Sequence, residues 1–127
     1  MSIIDERKPR IILHVDMNYF FAQCEEREHP EIQGKPVVIY VYSGCGGDSG
    51  AVSTSNYEAR KLVIKAGISI SQAKRLAPDA EFLPVNMELY SGTSDDVMEI
   101  LKEYSDKIEQ EGIDEAYCDL TGKVADL

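Results

Sequence analysis

Two adjacent carboxylates stand inside Gly112-Ile113-Asp114-Glu115-Ala116-Tyr117, between neighbours suited to strands. One of two neighbours in a strand normally faces solvent, and hairpin turns tolerate acids, so a solvated pair is one reading of Asp114 and Glu115. A metal site is the other, and it needs a further oxygen ligand from elsewhere in the chain. Asp16, which ends the apolar run of "ILHVDMNYFF", can supply it. Asp16 can equally cap the helix that follows, as can Asn18. If the first strand and the last hairpin share a sheet, three carboxylates converge and would repel strongly unless divalent cations neutralise them. Hard cations such as Mg²⁺ take oxygen ligands, typically a few protein carboxylates together with substrate phosphates.

The elements that must position these groups follow from the residue pattern. Arg10 to Val15 reads as a short strand buried on both faces. A helix follows from about Tyr19 to Glu28 and stops at His29-Pro30. Gly34 to Gly44 is a β-branched, aromatic-rich strand, and the Gly-rich stretch Gly44 to Gly50 a loop. "AVSTS" is a second short strand leading into a helix over Asn56 to Gly67, with Gly67 as a left-handed stop. "SISQAKRLAPD" predicts a short helix ending near Pro78, and "AEFLPV" another strand. Met87 to Tyr104 predicts a long amphipathic helix with Val97, Ile100, Leu101 and Tyr104 on its apolar face. Lys107 to Leu120 predicts a hairpin turning near Gln110 to Gly112. The order β-α-β-β-α-α-β-α-β-β is an α+β layout, with helices packed on an antiparallel sheet.

At 127 residues the chain is long enough to bury a core without disulfides or a structural metal. With 43% hydrophobic and 28% charged residues it has the composition of a globular protein. No apolar run approaches a membrane span, and "MSIIDERKPR" is too charged for a signal peptide, which predicts a cytoplasmic protein, nucleoid-associated in a prokaryote. Cys24, Cys45 and Cys118 lack metal-ligand spacing, and their odd number argues against a disulfide framework. The balance of 23 acids against 13 bases gives a net charge of −10, a field that repels phosphate backbones. Either the chain does not grip nucleic acid, or the grip comes from outside it.

The blocks "VDMNYFFAQCEE", "GKPVVIYVYSG", "GAVSTSNYEARKLVIKAG" and "KIEQEGIDEAYCDL" resemble, in order, the Y-family DNA polymerases that copy damaged templates, closest to the archaeal polymerase IV type. The resemblance runs from Ile11 to the end of the chain. It implies a partial ferredoxin-like palm plus a small fingers subdomain: residues 1–18 palm, 19–78 fingers, 79–127 palm again. It further implies two Mg²⁺ ions, for which Mn²⁺ can substitute. Asp16, the Met17 carbonyl and Asp114 would hold the ion that escorts the triphosphate; Asp16, Asp114 and Glu115 would hold the one that activates the primer 3′-hydroxyl.

The same resemblance makes Phe21 a steric gate under the incoming sugar, where the residue pattern alone allows a core aromatic. Thr54, Tyr57 and Arg60 would contact the triphosphate, where the pattern alone makes Tyr57 and Arg60 a helix-surface pair three residues apart. Val41, Ala51 and Ser53 would cover the nascent base pair. Asn18 stands where many family members have a second Asp. The resemblance covers only palm and fingers, so the thumb and little finger that hold primer-template DNA, and any sliding-clamp contact, are expected outside this chain. The expected function is the N-terminal catalytic portion of a translesion polymerase, inactive alone, with dNTP and primer-template DNA as partners. A short non-catalytic relative serving as a nucleotide-binding or protein-interaction module is the alternative. Another two-metal palm enzyme such as a nucleotide cyclase is a third reading, and it gives no reason for the fingers blocks.

Overall fold

The elements of this computed structural model, which describes residues 9–42 and 49–123, follow the expected order. They are β1 (Ile12–Asp16), α1 (Phe20–Glu28), β2 (Val37–Tyr42), β3 (Gly50–Ser55), α2 (Tyr57–Arg60), α3 (Ile70–Leu76), β4 (Glu81–Pro84), α4 (Met87–Lys102), β5 (Lys107–Gly112) and β6 (Glu115–Asp119). A single 3-10 turn, Pro30–Ile32, follows α1. Most of the expected Gly-rich loop, with Cys45, lies outside the described residues.

The strands do not share one antiparallel sheet. They make two three-stranded sheets, β1-β6-β5 and β3-β2-β4. The first is antiparallel, whereas β4 runs parallel to β2. The intervening helices α2 and α3 supply the long crossover that a parallel pair requires. The described residues fall into two compact units, Asn18–Tyr90 and the segments on either side of it. Residues 79–90 thus group with the segment expected to be fingers, because β4 is bonded to β2.

Among the described residues of the other unit, β1 is an edge strand paired only with β6. That overturns its expected burial on both faces: Ile12 and Leu13 are 46% and 45% exposed. The hairpin turns at Ile113-Asp114, two residues beyond the expected place. A bulge between Gln110 and Gly112 takes up the extra residue, so Gln110 pairs with Ala116 and Gly112 with Glu115. At the other end the Ser105 hydroxyl lies 2.7 Å from the Asp119 carbonyl and 2.9 Å from that of Lys107. The buried side chains of α4 are Tyr90, Ser94 and Met98, whereas Ile100 and Tyr104 of the expected apolar face are exposed. A polar residue at the centre of the buried row hides it from a hydrophobic count. Ser94 donates to the Ile113 carbonyl at the hairpin turn.

The Asn18–Tyr90 unit is built on Val37, Val38 and Ile39, all fully buried in β2. Val38 packs with Val52, Ala59, Ile64, Ala73 and Ala77. Gly50 is required where β3 begins: its φ is +133°, and a Cβ there would meet the Val41 carbonyl oxygen at 2.1 Å. Neither Asp16 nor Asn18 caps α1. The N-cap is Tyr19, in the left-handed region (φ 33°, ψ 49°), with no side-chain cap bond. The helix expected over Asn56 to Gly67 stops after Arg60, for the chain reverses through Val63 at φ +68° and turns Ile64 into the core. Asn56 caps the short α2 by accepting from the Ala59 N–H at 3.0 Å, and Ser69 caps α3 by accepting from Gln72 at 3.0 Å.

Candidate metal centre and nucleotide-contact residues

The antiparallel register of β1 and β6 sets Asp16 opposite Glu115 and His14 opposite Tyr117. Residues two apart on a strand share a face, so His14, Asp16, Glu115 and Tyr117 stand together on one side of the sheet. The ladder continues past the strand end, where the Met17 N–H donates to the Asp114 carbonyl at 2.9 Å. Ligand atoms of His14, Asp16 and Glu115 all lie within 4.8 Å of one another. His14 Nε2 is 2.7 Å from Glu115 Oε1, and the His14 ring stacks on Tyr117 at 4.4 Å with planes 13° apart.

Two acids directly opposite one another in an antiparallel pair repel, and a bound cation offsets that repulsion. The donor set is oxygen-rich, open to solvent on Asp16, and able to leave coordination positions for phosphate oxygens, so it fits a hard divalent ion. Asp114 occupies the hairpin turn next to Glu115 and lies outside the 4.8 Å group.

In the Asn18–Tyr90 unit, Tyr57 opens α2 and Arg60 closes it. The Arg60 guanidinium sits 5.5 Å from the centre of the Tyr57 ring, and Tyr19 meets that ring edge-on at 4.5 Å. Partial burial, with the carboxylate of Glu26 next, pushes the Tyr19 hydroxyl pKa up. Thr54 pairs with Ile39, and Ala51 with the half-exposed Val41. The shift in the β2·β3 register falls at Ser53, which has no partner opposite.

Phe21 is half-buried and stacks on Tyr90 at 4.3 Å with planes 13° apart. Tyr90 is fully buried, and burial pushes its hydroxyl to a pKa of about 12. That hydroxyl faces the buried Glu25 carboxyl without closing a well-formed hydrogen bond. Burial raises the pKa of Glu25 in turn.

Of the three carboxylates singled out in the sequence, Asp16 and Glu115 stand opposite one another and Asp114 lies in the adjoining turn, outside their group; His14 was passed over, although its place two residues before Asp16 on the same strand was a usable signal. Tyr19 and Tyr90, which pack against Tyr57 and Phe21, carried no local pattern that marked them.

A family model described as the impB/mucB/samB family matches residues 15–127. The DNA polymerase IV of Sulfurisphaera tokodaii is 56% identical over 114 residues, covering 90% of this chain and 32% of that protein. The DNA polymerase IV of Metallosphaera sedula is 57% identical over 117 residues, covering 92% and 34%. Among solved structures, the Y-family DNA polymerase chimera Dbh-Dpo4(243-245)-Dbh superposes with a TM-score of 0.86 at 49% identity, over 88% of this chain and 33% of that one. An insertion ternary complex of Dbh DNA polymerase does so with a TM-score of 0.84 at 50% identity, over 89% and 33%. The chain spans about a third of the length of the relatives it matches.

Proposed function

The chain belongs to the impB/mucB/samB family, and from that premise we propose that it is the metal-binding and nucleotide-contacting portion of a translesion DNA polymerase. The whole enzyme transfers a nucleotidyl group from a dNTP to a primer 3′-hydroxyl on damaged template DNA. The observation that carries this reading is the pairing of Asp16 with Glu115 across β1 and β6 in a chain about half identical to archaeal polymerases IV.

Asp16, Glu115, Asp114 and the Met17 carbonyl hold the divalent cations, with Mg²⁺ the natural choice and Mn²⁺ a substitute. Held by these groups, divalent cations would supply charge stabilisation for the attacking primer oxygen and the leaving pyrophosphate. The protein's part is positioning and charge. Arg60 pairs bidentately with phosphate oxygens, and the hydroxyls of Tyr57 and Thr54 donate to them. Tyr19 and Arg60 bracket the Tyr57 ring, which restricts where its hydroxyl can point. Phe21, backed by Tyr90, blocks a ribose 2′-hydroxyl, while Val41, Ala51 and Ser53 cover the nascent pair. The resemblance assigns residues 1–18 and 79–127 to palm and 19–78 to fingers, while β4, bonded to β2, groups with the fingers segment. The described part of the chain has no helix long and apolar enough to cross a membrane, which fits work at the nucleoid. Primer-template DNA and a sliding clamp are gripped by sequence outside this chain, which leaves its own charge of −10 free of that task.

The test is a graft. Residues 11–127 replace the matching third of the Sulfurisphaera tokodaii polymerase, and primer extension is measured with and without Asp16→Asn and Glu115→Gln. Extension by the graft should fall about 10²–10³-fold in either variant, the scale for losing one preorganised electrostatic group. Undiminished extension in both would refute the assignment.

A further inference from the structure

We infer that His14 is a positioning residue for the metal centre: it holds the Glu115 carboxylate in the orientation that faces Asp16. This rests on the metal-site reading of Asp16 and Glu115 given above. An ionised carboxylate can only accept, so the 2.7 Å contact assigns the hydrogen to Nε2 of His14 and leaves the second Glu115 oxygen free for a cation. The imidazole is itself fixed by its stack on the cross-strand neighbour Tyr117.

The arrangement answers a specific need. Glu115 is partly exposed at the first position of β6, directly after the hairpin turn, and its side chain has several rotamers open to it. Among the described residues, the hydrogen bond from His14 is the one side-chain restraint recorded on that carboxylate. Groups that orient a metal-binding side chain in this way typically change metal affinity 10–100-fold when removed. For a pair open to solvent, the lower end of that range, about tenfold, is expected.

Two substitutions separate the hydrogen bond from the stack. His14→Phe keeps a ring on Tyr117 and loses the donor, whereas His14→Gln keeps an N–H at about the same reach and loses the ring. The readout is Mn²⁺ affinity, from the free-ion EPR signal during titration of the 127-residue chain, with thermal melting recorded in parallel. His14→Phe should bind Mn²⁺ about tenfold more weakly at unchanged melting temperature, and His14→Gln should recover most of the loss. Wild-type affinity in His14→Phe overturns the inference, as does a His14→Gln chain no better than His14→Phe. So does ¹⁴N coupling from His14 in the spectrum of bound Mn²⁺, for the imidazole would then be a ligand. An Asp16→Asn control distinguishes the two levels of the argument. If it keeps wild-type affinity, the metal-site reading fails; if it loses affinity while His14→Phe does not, only the role of His14 fails.

Discussion

Replacing Asn56 by Ala should destabilise the Asn18–Tyr90 unit by about 3 kcal/mol, as the bonds of this side chain indicate. Asn56 is 3% exposed. Its Oδ1 accepts from the N–H groups of Val37 and Ala59, each at 3.0 Å. Its Nδ2 donates to the Lys35 carbonyl at 2.7 Å and to Glu26 Oε1 at 2.8 Å. Truncation does not strand all four partners equally. Lys35 is exposed and Glu26 half-exposed, so water can replace the amide there. Val37 is fully buried, and its stranded N–H should cost about 2 kcal/mol. Losing the cap on α2 adds about 1 kcal/mol. For a unit of this size the sum corresponds to a fall in Tm of about 15 °C. Urea denaturation of the chain would measure it. Asn56→Ser keeps a hydroxyl that can cap Ala59 but is too short to serve Val37 as well, so it should recover about 1 kcal/mol of the loss. If Asn56→Ala cost less than that, or if the two variants were equally destabilised, the reasoning from stranded N–H groups would be refuted.

Val63→Gly should stabilise the chain by about 1 kcal/mol in the same assay, since a β-branched residue at φ +68° pays for a left-handed backbone that glycine adopts freely. For Glu25 the pKa is raised in the folded state, so folded protein binds more protons and stability falls as pH climbs from about 4.5 through the raised value. Glu25→Gln should flatten that part of the stability profile, and an unchanged slope would refute the assignment. In the grafted polymerase, Phe21→Ala should lower the ratio of kcat/KM for deoxyribonucleotide over ribonucleotide by about 10²-fold. Parallel loss toward both sugars would make Phe21 a packing residue.

Part of the candidate site was legible where chemistry restricts the choices. Carboxylates at the end of a first strand and in a last hairpin can meet if the two share a sheet, and Asp16 does pair with Glu115, whereas Asp114 stays in the turn outside their group. The element order was legible because β-branched runs and capping residues punctuate it. What escaped depended on tertiary contacts. The buried face of α4 is centred on Ser94, which the Ile113 carbonyl satisfies, so hydrophobic periodicity pointed one position away. The helix after Asn56 ends early because Ile64 gains more from core burial than Val63 loses in backbone strain, a balance that propensity cannot express. The parallel β2·β4 pair was equally hidden, since strand direction depends on where α2 and α3 carry the chain.

The cross-strand register of β1 and β6 has a consequence for how the centre can fail. Side chains alternate with a period of two, so the ligand spacing cannot drift by fractions of an ångström through sliding of the strands; it can change only in whole-residue steps. A slip of β1 by a single residue would set Val15 or Met17 opposite Glu115 and turn both His14 and Asp16 to the other face. With the Met17 N–H held by Asp114 at one end and the Leu120 N–H donating to the Ile11 carbonyl at the other, that step requires unzipping the whole pair. If the proposed centre holds a cation, heat or denaturant should therefore leave the affinity of each folded molecule nearly constant while the number of such molecules falls: the arrangement of Asp16 and Glu115 behaves as a digital element, present in full or gone.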